Sequence, residues 1–216
     1  MGGAKNHLIV LPDASEEMTA SNVIASMSGC AGQRCMAAAV MVGVDKIDHI
    51  VSRMVDEAKK IVPGDNLGSV ISKAAKERIE RYIAEAEAAG AKVLVDGRNT
   101  IVKGKESGFY VGPTIVDYVT PDMAIAKEEV FGPVISIIRA KDLDEAIAIE
   151  NSSGYGNAAA VFTQSGGAAK EVMERASAGM IGVNIGVPVP REPFPFGGWN
   201  DSKFGVCDIT GKSSIE

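Results

Sequence analysis

The chain has 216 residues, 46% of them apolar and only 5% aromatic, enough to bury a core as one large domain or two small ones. Its 28 acidic against 22 basic residues give a net charge of -6, with no Lys/Arg run that could follow a phosphate backbone, so nucleic acid is not an expected partner. The cysteines Cys30, Cys35 and Cys207 are too few for a disulfide framework or structural zinc site, Met1 to Asn6 lacks the regions of a signal peptide, and no apolar run approaches the ~20 residues of a membrane helix; the expected setting is the cytoplasm, or the mitochondrial matrix in a eukaryote.

His7 to Leu11 reads as a short strand stopped by Pro12-Asp13, and a helical pattern opens at Ser15 with Glu16 and Glu17 in its first turn. Met18, Val23, Ile24 and Met27 fall on its inner face, and Gly29 and Gly32 break it into a tight loop carrying Gln33-Arg34-Cys35. Ala38 to Val44 is the next strand, Asp45 to Ile61 an amphipathic helix, and Pro63-Gly64-Asp65-Asn66 a break before the charged helix Ser72 to Ala89. Lys92 to Val95, Tyr110 to Val116 and Val134 to Ile138 read as strands, the last two flanking the polar segment Lys127 to Pro133. Helix Asp142 to Asn151, strand Ala158 to Thr163, helix Gly166 to Ala176 and strand Met180 to Asn184 complete the alternation, and from Gly186 the chain is Pro- and Gly-rich and irregular. This order predicts one α/β domain over 1–216, a doubly wound, mainly parallel sheet with helices on both faces and site loops at the carboxyl ends of its strands.

Cys35 is the residue type and place most suggestive of chemistry. A thiol on a loop between glycine turns and a strand is held accessible, its own N–H can serve an oxyanion, and the neighbouring Arg34 favours the thiolate. Spacing alone favours the plainer reading, a small buried hydrophobe, and for Arg34 a loop-supporting arginine. Cys30 is expected in a helix contact, Cys207 has no motif, and His49 is expected on the exposed side of its helix. With only His7 and His49, far apart, no metal site or histidine triad is supported. Gly154-Tyr155-Gly156-Asn157 mimics a dinucleotide glycine loop but precedes a strand, where the fingerprint must follow one and open a helix.

The order of motifs resembles the aldehyde dehydrogenase superfamily along nearly the whole chain. Ala31 to Ala37 resembles its nucleophile segment, Lys127 to Val134 its cofactor-facing loop, Phe109 to Thr114 the strand before that loop, Ser153 to Asn157 with Val161 to Thr163 its Tyr-Gly strand, and Pro195 to Gly198 its closing motif. Gly3 to His7, Gly32 to Ala37, Gly186 to Pro190 and Phe194 to Trp199 are similar to the CoA-acylating methylmalonate-semialdehyde branch.

The resemblance implies an NAD-dependent enzyme in which Cys35 attacks the aldehyde, a thioester forms on it, and CoA takes the acyl group with loss of carbon dioxide. It implies that Arg34 pairs with the carboxylate of a semialdehyde acid, that Glu129 bonds the nicotinamide ribose with Phe131 packed beside it, and that Asn184 and Phe196 line the mouth of the substrate site. It places the cofactor-binding domain and the final oligomerisation strand outside this chain, leaving only the nicotinamide end of NAD to it, and implies a homo-oligomer for the intact enzyme. A non-acylating semialdehyde dehydrogenase that releases a free acid, and a folded module without catalysis of its own, stand as the alternatives.

Overall fold

The computed structural model describes residues 2–186, 188–212 and 215. In chain order its elements are β1 (Asn6–Val10), α1 (Glu16–Ser28), a 3-10 turn (Gly29–Gly32), β2 (Ala38–Val44), α2 (Asp48–Ala58), α3 (Lys73–Ala88), β3 (Lys92–Val95), β4 (Thr114–Asp117), α4 (Ala124–Lys127), β5 (Val134–Ala140), α5 (Leu143–Asn151), β6 (Tyr155–Gly156), β7 (Ala158–Phe162), α6 (Gly166–Arg175), β8 (Met180–Val183) and β9 (Trp199–Asn200). Seven strands form one sheet in the order β3-β4-β5-β2-β1-β7-β8. Every neighbouring pair is parallel except β3 with β4. A second, antiparallel ribbon joins β6 to β9, which the irregular composition after Gly186 gave no reason to expect.

The strands alternate their side chains between two buried layers, as the period of two requires. Leu8 and Val10 of β1 face the layer filled by Val23, Ile24 and Met27 of α1 and Ile50 and Met54 of α2. Ile9, Val40 and Val42 face the other, which Ile79 and Ile83 of α3, Ile147 of α5 and Val172 of α6 complete. Helices therefore cover both faces. Side-chain caps set three helix starts: Ser72, Asp142 and Ser165 each accept from the backbone N–H three residues on. Ser15 makes no such bond, and α1 opens on Glu16 and Glu17 against its positive end instead.

Two expected boundaries move for local reasons. Helix α2 begins at Asp48 and not Asp45, because Asp45 adopts φ 53° and donates its N–H to Ala140 O at 2.8 Å, closing the β2 turn. Strand β4 begins at Thr114 and not Tyr110, because Pro113 has no N–H for a ladder and Gly112 donates to Gly97 O at 2.8 Å.

Candidate active site

The site loops lie at the amino ends of the strands, which corrects the expectation of carboxyl ends. In a parallel sheet each helix returns the chain to the amino edge, and Cys35 is on the return from α1 into β2. Asn6 opens β1 and pairs in register with Ala38, the first residue of β2. Glu129 to Gly132 lead into β5, and Asn157 immediately precedes β7. Four strand starts thus converge.

The loop carrying Cys35 is tightly folded. Cys30, Ala31 and Gly32 follow one another with φ of 53°, 54° and 69°, a left-handed region that costs a residue with a Cβ about 1 kcal/mol or more. Contacts around the turn hold it. A Cβ on Gly32 would stand 2.0 Å from the carbonyl oxygen of Gly132, so the Cys35 loop and the Glu129 loop touch backbone to backbone. The Gln33 side chain donates to Cys30 O at 3.2 Å and accepts from Ile71 N at 2.9 Å, tying the turn to the segment before α3.

Cys35 is exposed, and so are Cys30 and Cys207. The expected helix contact of Cys30 is therefore not formed, because its left-handed backbone turns the side chain outward. His49 is exposed as expected. The carbonyl of Cys35 accepts two carboxamides, Asn6 Nδ2 at 2.9 Å and Asn157 Nδ2 at 3.0 Å. Asn6 also donates to Ala37 O at 2.8 Å and accepts from Ala158 N at 3.2 Å. These asparagines clamp the Cys35 segment from β1 and from the approach to β7. Sequence reading missed them as positioning residues, although an Asn at the start of an apolar strand was the available signal.

Arg34 Nη2 donates to Ser26 O at 2.7 Å and to Ala25 O at 3.4 Å, at the negative end of α1, while Nε is buried without a hydrogen bond among the described residues. A Cβ on Gly29 would lie 2.3 Å from that Nη2, so a side chain there would displace the guanidinium from these bonds. The guanidinium thus supports the loop as well as lining the cleft.

That cleft brings together Lys5, Asn6, Arg34, Cys35, Glu129 and Phe131. Phe131 is exposed with φ 57°, and Glu129 is half-buried. Burial raises the Glu129 carboxyl above its ordinary pKa, against the Ala4 backbone N–H and the charges of Lys5 and Arg78, which draw it down. Its neighbour Glu128 accepts a hydrogen bond from the Tyr82 hydroxyl. Phe196 is partly buried against Met36, Ala158 and Met180, Met36 being the residue after Cys35. Asn184 is not in this group. It follows β8 at the carboxyl edge, where its side chain accepts from Thr163 N and donates to Thr163 O, both at 3.0 Å, so its amide is consumed in joining two strand ends.

An exposed ring two residues after a half-buried carboxylate gives the cleft that holds Cys35 an apolar packing surface and a hydrogen-bond acceptor. The Gly154 to Asn157 turn precedes β7 and opens no helix, so it supplies no pyrophosphate cradle. Among the described residues there is no cluster of His, Cys, Asp or Glu that could hold a metal ion, and no helix long and apolar enough to cross a membrane.

The sequence model of the aldehyde dehydrogenase family matches residues 1–216. A Bacillus cereus protein named malonate-semialdehyde dehydrogenase 3 is 46% identical over all of this chain and 46% of its own length. An NAD complex from Sinorhizobium meliloti 1021, assigned as a methylmalonate-semialdehyde dehydrogenase, superposes with a TM-score of 0.96 at 40% identity, covering 99% of this chain and 45% of that one. The methylmalonate-semialdehyde dehydrogenase of Oceanimonas doudoroffii superposes at 0.95 and 38% identity, covering 98% of this chain and 45% of its own. The chain therefore spans about half the length of the relatives it matches.

Proposed function

This chain belongs to the aldehyde dehydrogenase family, and on that premise we propose that it is the nucleophile-bearing part of an oxidoreductase acting on a semialdehyde acid. The reaction proposed converts methylmalonate or malonate semialdehyde, with NAD and CoA, to propionyl-CoA or acetyl-CoA, carbon dioxide and NADH. The observation that carries the reading is one cleft lined by the exposed Cys35 together with Arg34, Glu129 and Phe131. The names of the similar proteins support the substrate class.

In this reading Cys35 Sγ attacks the aldehyde carbon, and the Cys35 N–H donates to the oxyanion of the resulting thiohemiacetal. The two carboxamides on the Cys35 carbonyl fix the Cys35–Met36 peptide and so hold the backbone on one side of the nucleophile. NAD, when bound, accepts the hydride; Glu129 would hold its nicotinamide ribose and Phe131 would pack beside the ring. The thioester left on Cys35 is then released to a thiol. Arg34 sets the preference for a charged substrate, in addition to bracing α1. The intact enzyme is also proposed to be a homo-oligomer, a reading that the individually exposed apolar side chains of Phe194, Trp199, Phe204 and Val206 support.

Product analysis with the intact enzyme tests the proposal. Malonate semialdehyde, NAD and CoA should yield acetyl-CoA and carbon dioxide in step with NADH. Free acid formed at an unchanged rate with or without CoA would replace this reading by a hydrolytic dehydrogenase. For the chain alone, an intact-mass increase after incubation with an acyl thioester, mapped to Cys35, separates chemistry from mere folding.

A further inference from the structure

Ser202 is fully buried, although Asp201 before it and Phe204 after it are exposed. A buried hydroxyl is costly unless it is bonded, and here both of its functions are used. It donates to Gly3 O at 2.7 Å and accepts from Gly156 N at 3.2 Å. The backbone adds to this: Gly2 N donates to Ser202 O at 2.9 Å, and Asp201 N donates to Gly154 O at 3.0 Å. The segment after β9 is thereby fastened both to the stretch before β1 and to β6. Gly198 leaves room for the contact, since a Cβ there would stand 2.8 Å from the Ser202 Cβ and 3.3 Å from the Asn157 Oδ1.

We propose that Ser202 is a positioning residue of the Cys35 site, its hydroxyl setting the distance between the two stretches of chain whose asparagines hold the Cys35 carbonyl. The inference rests on the reading of Cys35 as the nucleophile.

The ladder between β1 and β7 starts at His7 and Ala159. Ahead of it the Asn6 side chain accepts from Ala158 N at 3.2 Å. Further out, the Gly156 N–H, the Ser202 hydroxyl and the Gly3 carbonyl form the next bridge between the same two stretches. Asn157 directly follows Gly156, and Asn6 comes shortly after Gly3. Their carboxamides meet on one oxygen, Cys35 O, at 3.0 and 2.9 Å, so a change of spacing at the Ser202 end cannot leave both bonds intact. Removing the hydroxyl takes an acceptor from a buried N–H and a donor from a carbonyl, and leaves that end of the frame unset.

Comparing acylation with alkylation of Cys35 in the purified chain separates this role from general support. Attack on phenyl thiopropionate passes through a tetrahedral oxyanion and needs the Cys35 backbone held in place, whereas iodoacetamide asks for an accessible thiolate alone. Ser202→Ala should slow acylation of Cys35, read by intact mass and peptide mapping, about tenfold, and alter its alkylation by less than about twofold. In an Asn157→Ala background the same substitution should slow acylation by no more than about threefold, because one arm of the frame is already gone. Acylation unaffected by Ser202→Ala overturns the proposal. So does an equal fall in alkylation, which marks general loosening, or a full tenfold loss in the Asn157→Ala background, which severs the route through that residue. Should Ser202→Ala fail to melt cooperatively, Ser202→Cys takes its place, with similar volume but a weaker donor, and should slow acylation at least about threefold. Loss of cooperative melting in both variants makes Ser202 a folding residue and overturns the proposal. A native chain whose Cys35 takes up no acyl group would instead sink the nucleophile reading beneath it.

Discussion

Burial of His7 makes this protein sensitive to acid. His7 is 4% exposed, and burial lowers its pKa from 6.5 to about 4. Between those values the unfolded chain binds a proton that the folded chain refuses, so stability falls as pH drops through this window, by on the order of 3 kcal/mol for this group. Glu129 and Glu150, whose carboxyls burial raises, act in the opposite sense, gaining folded-state protons as pH falls. A difference measurement isolates His7. His7→Asn can keep an N–H toward the Lys5 carbonyl without titrating, and its Tm relative to the native chain should rise as pH goes from about 6.5 to 4. A constant Tm difference would show that His7 is not held neutral. Arg34 is judged at the same scale. In the intact enzyme Arg34→Leu should cost about 2 to 5 kcal/mol in kcat/KM for the semialdehyde acid and far less for an uncharged aldehyde of equal length. Equal losses would assign Arg34 wholly to its bonds with Ser26 and Ala25.

The contact between two loops, more than any helix or strand alone, sets the geometry of the cleft. Gly32 combines φ 69° with a close approach to the Gly132 carbonyl, so an added Cβ must drive the loops apart. Gly32→Ala should destabilise the fold by about 1 to 3 kcal/mol and lower turnover of the intact enzyme roughly a hundredfold, the cost of misplacing a reacting group by about 1 Å. Gly166→Ala, at the start of α6 with open space around it, should leave both unchanged. Comparable effects of the two would mean that the loop contact does not position Cys35. Glycine turns and alternating strands were legible in the sequence because they follow from local sterics and periodicity. The edge of the sheet bearing the site was derivable too, since a helix-to-strand loop in a parallel sheet must lie at the amino end, yet analogy with nucleotide-binding sheets pointed the other way. An Asn at a strand start was the signal for the clamps from Asn6 and Asn157, but their target was not legible, because residues 29 and 122 positions from Cys35 meet it only through strand pairing. Asn184 shows the converse: a polar residue after a buried strand is more often consumed by backbone groups than offered to a ligand.

At the scale of the molecule, the question is what this chain can do by itself. Its sheet is covered on both faces, with Ile9, Ile50, Met54, Ile79 and Ile83 fully buried, so both hydrophobic layers close without outside help. A cooperative thermal transition is therefore expected of the 216-residue chain alone. Oxidation of an aldehyde asks for more. Hydride transfer needs the nicotinamide carbon held within near-attack distance of the carbon bound to Cys35. Glu129 and Phe131 can steady one end of a dinucleotide, but most of its binding surface, the adenine and the pyrophosphate, finds no glycine cradle among the described residues. We therefore expect thermal shift and fluorescence titration to detect no cofactor affinity at millimolar NAD, and NADH formation to be absent, while Cys35 still alkylates. The chain spans 46% of the length of the Bacillus cereus relative, and the proposed division of labour assigns the rest of the cofactor's contacts to residues outside this chain. NADH production by the chain alone at the rate of an intact dehydrogenase would overturn that division, and would show that this cleft binds the whole cofactor unaided.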